Sequence, residues 1–128
     1  MSSVKSYRDL LVWQKSMKLA AITYRLAKLM PKQEEYRLTS QMLRAAASVP
    51  ANLAEGHMRS TRKDFARFVN ISRGSLAELE TFLLLATDVD LLSSEQTLQS
   101  LELAAEVGRM LNGLRNRLEG PAPRDEFP

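Results

Sequence analysis

Residues 61–86 read TRKDFARFVNISRGSLAELETFLLLA, and this stretch decides the fold. Its apolar side chains recur at intervals of three and four residues, at Phe65, Phe68, Val69, Leu76, Leu79, Leu83 and Ala86. That spacing is typical of one face of an amphipathic helix. Thr61, followed three residues later by Asp64, resembles a capping box with Asp in place of the usual Glu. We therefore predict a long helix over residues 61–90.

Three further segments carry the same period, namely residues 8–29, 33–57 and 94–118. Pro31 ends the first of these helices, and Gly120 followed by Pro121 ends the last. Pro50 has no N–H to donate and its ring clashes with the preceding turn, so we expect the second helix to be kinked or broken near Pro50. Four helices joined by short connections predict an all-α fold, an antiparallel up-down-up-down four-helix bundle.

The length and composition bound the domain organisation and the chemistry. A chain of 128 residues is expected to form one compact domain, here residues 1–120, with residues 121–128 as a disordered tail. The chain has no cysteine and only one histidine, His57, so we expect no metal site, no cofactor and no enzymatic activity. No apolar run reaches the length of a membrane span and no signal peptide is evident, which predicts a cytoplasmic protein without membrane contact.

Positive charge is concentrated in the first half of the chain. Residues 1–63 hold twelve Lys or Arg and four Asp or Glu, a net +8, whereas residues 64–128 hold six and eleven, a net −5. A basic surface attracts nucleic acid, and a helix start with free N–H groups favours phosphate. The cations that we predict to contact RNA or DNA phosphates are Lys15, Lys18, Arg25, Lys28, Arg59, Arg62 and Lys63.

The same charges allow a second interpretation. Opposite charges on different faces favour association of identical subunits, and cations on a helix often simply face the solvent. In that case the basic residues are subunit contacts or solvated faces, and the protein is a scaffold that binds a protein partner. Binding of nucleic acid predicts a steep loss of affinity with salt, which the scaffold interpretation does not.

Three strings carry a resemblance to a known family. They are DLLVWQK at residues 9–15, SVPANLAEG at residues 48–56 and GSLAELET at residues 74–81. With the sequence around them they resemble the four-helix-bundle proteins encoded in intervening sequences of large-subunit ribosomal RNA genes. That family is in turn similar to the accessory variability protein of diversity-generating retroelements. The match covers the first three helices, and the fourth helix agrees by its periodicity.

The resemblance implies an assembly as well as a fold. It implies a four-helix bundle that forms a ring-like homopentamer and has no catalytic residues. In the retroelement relatives the basic surface of the ring binds nucleic acid and a reverse transcriptase. The positions that match the family strings are Trp13, Gln14, Lys15, Asn52, Glu55, Gly56, Arg59, Thr61, Lys63, Asp64, Phe65, Gly74, Ser75, Glu78 and Glu80.

Overall fold

The structure is a computed structural model that describes residues 5–121. In this range the protein is an antiparallel bundle of four helices. The helices are α1 (Leu11–Ala27), α2 (Ser40–His57), α3 (Arg62–Asp88) and α4 (Ser94–Glu119). Each helix packs on its neighbours in the chain, and α1 also packs on α4, which closes the bundle. The predicted all-α four-helix class is confirmed. The predicted tail, residues 121–128, lies outside the described residues except for Pro121.

The second helical segment is broken, and the break lies before α2. Residues Glu35–Thr39 form an irregular turn with a kink at Arg37, whose backbone angles are non-helical (φ −118°, ψ −111°). This irregular turn leaves Tyr36 exposed and turns Leu38 into the core. Pro50 lies well beyond the break, inside a helix that continues past it to the C-terminal end of α2.

The contact between α2 and α3 is close because small and hydroxyl-bearing residues line it. The Ser48 and Ser75 hydroxyls share a hydrogen bond of 2.7 Å, and Asn52 Nδ2 donates to the Ser48 hydroxyl at 2.9 Å. Ser72 Oγ donates to the Val49 carbonyl oxygen, also at 2.9 Å. The polar positions of the SVPANLAEG and GSLAELET strings thus hold one helix against the other.

Gly56 marks the narrowest point of this contact. A Cβ atom on Gly56 would lie 2.6 Å from Phe68 Cβ and 3.0 Å from Phe65 Cδ1. Only glycine lets the two helices approach this closely. The close approach fixes how the end of α2 sits on the first turns of α3.

The two long helices begin and end with identifiable caps. The Thr61 hydroxyl accepts from the Asp64 N–H at 3.1 Å, and Ser93 forms a reciprocal capping box with Gln96 at the start of α4. After α3, Asp90 adopts φ 63°, and the Leu91 N–H donates back to the Ala86 carbonyl at 2.8 Å. This is a Schellman-type ending in which Asp occupies the left-handed position that glycine favours.

Candidate nucleic-acid interface

The chain reversal from α2 to α3 gathers cations at one end of the bundle. We call this surface the basic end and define it by the exposed side chains of Arg59, Lys63 and Arg67. Arg59 follows α2, whereas Lys63 and Arg67 lie on successive turns of α3. Because residues four apart share one face of a helix, Lys63 and Arg67 point to the same side.

Phe68 orients two of these cations. Its ring is only 6% exposed, and the guanidinium carbons of Arg59 and Arg67 lie 4.8 Å and 4.5 Å from the ring centroid. Such stacking leaves the edge of a guanidinium available to other acceptors. Arg59 also forms an ion pair with Glu55 at 2.7 Å, so part of its charge is neutralised within the chain.

Arg62 has an intramolecular role at the same end. Its Nη2 donates to the backbone carbonyl oxygen of Arg117, in the last turn of α4. A cation at a helix C-terminus satisfies a free carbonyl and interacts favourably with the helix dipole. The side chain that we predicted as a phosphate ligand therefore ties the start of α3 to the end of α4.

Lys15 is likewise engaged within the chain. Its Nζ lies 2.8 Å from Glu106 Oε2, which links α1 to α4. This hydrogen bond, with the charges of Lys15, Arg109 and Lys18, lowers the pKa of the Glu106 carboxyl. The pair lies on the side of the bundle, away from the basic end.

The remaining predicted cations lie elsewhere. Lys18 is exposed on the side of α1, whereas Arg25 and Lys28 are exposed where α1 ends, at the opposite end of the bundle. The 18 residues of α2 separate the two ends by about 27 Å. The seven predicted residues therefore do not form one surface. Arg59, Arg62 and Lys63 come together at one end of the bundle, and Arg25 and Lys28 lie at the other.

Arg67 is the member of the basic end that our predicted set lacked. Its position one turn after Lys63 was visible in the sequence, but its stacking on Phe68 depends on how α2 packs on α3. Within residues 5–121 we find no group of three or more His, Cys, Asp or Glu side chains that could hold a metal ion. No helix in that range is long and apolar enough to cross a membrane.

A second surface feature is an apolar groove between α1 and α2, which we call the α1–α2 groove. Its volume is about 380 Å³. It is lined by Tyr7, Trp13, Met17, Ala20, Ala47, Pro50, Ala51 and Ala54. The Tyr7 and Trp13 rings meet edge-to-face with centroids 5.3 Å apart, so one end of the groove is aromatic. Alanines on α2 keep its other wall flat.

Comparisons with known proteins bear on the family and the fold. A comparison with curated proteins gave no match. Among solved structures, the chain resembles a protein of unknown function from the S23 ribosomal protein family of Bacteroides thetaiotaomicron. The two are 26% identical with a TM-score of 0.77, and the match covers 82% of this chain and 98% of the other. The family model of the 23S rRNA-intervening sequence proteins matches residues 8–113. The chain therefore belongs to the 23S rRNA-intervening sequence protein family.

Proposed function

We propose that this protein is a non-enzymatic, self-associating cytoplasmic bundle that binds the phosphates of RNA or DNA at its basic end. The observation that carries the proposal is the arrangement around Phe68, which holds the guanidiniums of Arg59 and Arg67 beside the exposed Lys63. Cations held in place by an aromatic ring lose little conformational entropy when they bind a polyanion. Contacts of this kind recognise phosphate without reading the base sequence.

The test is binding of a labelled duplex DNA and a structured RNA, measured by fluorescence anisotropy across a salt series. We expect the double variant Lys63→Gln, Arg67→Gln to weaken binding and to reduce the salt slope for duplex DNA by about 2 units, because each phosphate that a cation neutralises adds close to one unit. The matched control is Arg44→Gln, Arg109→Gln, which removes the same charge from exposed positions outside the basic end. Arg62 is left intact because its substitution would also disturb the end of α4.

Two results would overturn the proposal. Equal salt slopes for the two double variants would mean that net charge, and not the basic end, drives binding. No binding at low salt would leave the scaffold interpretation, in which the basic residues serve as solvated faces or subunit contacts. The intramolecular roles of Lys15 and Arg62 are the observations that favour this alternative.

Self-association is proposed from the α1–α2 groove and from the family resemblance, which implies a homopentamer. An exposed apolar groove is a common site of subunit contact. The exposed cations of α1 complement acidic positions on α3 or α4 of a neighbouring subunit, in the head-to-tail manner that closes a ring. Sedimentation velocity should show an oligomer for the wild type and smaller species for Met17→Glu, in the groove. Met58→Glu is the control because Met58 is 74% exposed outside it. A wild-type monomer at micromolar concentration would refute the assembly.

A further inference from the structure

The irregular turn before α2 presents an aromatic ring to the solvent. Tyr36 is 88% exposed, the highest value among the large apolar and aromatic side chains in the described residues. It lies at the kink before α2, next to the non-helical Arg37 and close to Leu38, which is buried. The core therefore anchors the backbone on one side of Tyr36, while its ring stays uncovered.

Cations surround this ring in the sequence and share its end of the bundle. Residues 25–37 carry four exposed cations and two acidic residues, a net +2. The cations are Arg25, Lys28, Lys32 and Arg37. The structure shows no ion pair for any of them within residues 5–121. Lys32 and Arg37 join the predicted cations Arg25 and Lys28 in a second positive surface.

The carboxylate of Glu35, next to Tyr36 in the chain, interacts with the Tyr36 hydroxyl. A hydrogen bond with Glu35, and the charge of that carboxylate, raise the pKa of the Tyr36 hydroxyl. The interaction involves the hydroxyl, and the side chain of Tyr36 remains 88% exposed.

We propose that Tyr36 is a stacking platform for an unpaired base of RNA or single-stranded DNA, with the four neighbouring cations contacting the flanking phosphates. The proposal rests on the proposed function and deepens it, because it selects nucleic acid with unpaired bases. An exposed aromatic ring on a positively charged surface is the arrangement that binds single strands without sequence preference. Protein–protein contacts are instead depleted in lysine, so Lys28 and Lys32 favour a polyanion over a protein partner.

The experiment compares an RNA hairpin that carries 5-iodouridine in its loop with a blunt RNA duplex of the same length. We expect irradiation to cross-link the hairpin loop to Tyr36, as mapped by mass spectrometry. Tyr36→Leu should weaken hairpin binding roughly 5- to 150-fold, the effect of removing one stacked base, and leave duplex binding unchanged. Tyr36→Phe should keep hairpin affinity, because the ring and not the hydroxyl stacks. Tyr36→Phe also serves as the matched control, because it keeps the ring at the same position.

The outcomes separate this proposal from the function on which it rests. If Tyr36→Leu binds the hairpin as the wild type does, the stacking platform is refuted, while binding at the basic end stands on the Lys63→Gln, Arg67→Gln result. If the wild type binds neither RNA at low salt, both proposals fail. If Tyr36→Leu changes the sedimentation of the protein instead of its RNA affinity, Tyr36 is a protein contact and the proposal is also overturned.

Discussion

Substituting Gly56 by Ala tests the packing that builds the basic end. The added Cβ would lie 2.6 Å from Phe68 Cβ, whereas carbon atoms in favourable contact are about 3.5–4.0 Å apart. Neither Cβ can rotate away, because each is fixed to its own backbone. The end of α2 must therefore move away from α3 by about 1 Å, the difference between these separations.

The expected cost follows from two opposing effects. Ala in place of Gly in a helix contributes at most about 1 kcal/mol, and less near a helix end. Overpacking a well-packed contact costs about 1–3 kcal/mol, and here the shift also disturbs the buried neighbours Leu53 and Phe65. We expect Gly56→Ala to lower the free energy of unfolding by about 1–3 kcal/mol.

The assay is urea unfolding followed by far-ultraviolet circular dichroism, at one protein concentration because self-association would couple to stability. Gly74→Ala is the matched control: Gly74 is exposed in the middle of α3, and apart from its chain neighbours and the nearby backbone of α3 nothing lies within 4 Å of its Cβ position. Ala at that position should raise the free energy of unfolding by about 0.5–1 kcal/mol. If Gly56→Ala were as stable as Gly74→Ala, the close approach of α2 to Phe68 would be refuted.

Three further predictions concern single contacts. Arg62→Ala should lower the free energy of unfolding by about 1 kcal/mol. Arg62→Lys should lower it by less, because lysine keeps a cation at the end of α4. Equal urea midpoints for the two variants would contradict the role of Arg62 as a cap. Asp90→Gly should raise the thermal midpoint by relieving the left-handed backbone, a gain of about 0.5–1 kcal/mol, and a lowered midpoint would argue against the Schellman-type ending. Lys15 lowers the pKa of Glu106, so its contribution is present above the ordinary value of 4.5 and is lost as the pH falls through the lowered pKa. Glu106→Gln should therefore reduce the urea midpoint at pH 7, and by progressively less as the pH falls below 4.5.

The helices were predictable because their signal is local. Apolar residues at intervals of three and four placed a helix over residues 61–90, and the structure has α3 at Arg62–Asp88. The break in the second segment was also predicted, but its position depends on tertiary packing. Pro50 is the strongest local helix breaker, yet it is buried in α2, and Ser72 of α3 donates to the Val49 carbonyl beside it. The interruption lies instead at Arg37, where no proline or glycine marks it.

The candidate site was predictable only in part, because a cation in a sequence does not show its partner. Lys15 pairs with Glu106 and Arg62 caps the end of α4, and both contacts join segments far apart in the chain. Their pairing follows from the way α4 closes the bundle, and no spacing rule connects them. The stacking of Arg67 on Phe68 has the same origin, since Phe68 is positioned by the contact with Gly56 of α2.

Under the proposed function, the length of α2 sets how many nucleic-acid ligands one chain can bind. Its two positive ends are about 27 Å apart, more than three times the Debye length of about 8 Å at physiological ionic strength. Under the proposed function, each end therefore attracts nucleic acid independently of the other. Under our two proposals, a single strand too short to span about 27 Å cannot bridge the ends and would saturate the protein at two ligands per chain. A longer strand can bind both ends of one chain. The second contact is then intramolecular, and the stoichiometry becomes one ligand per chain.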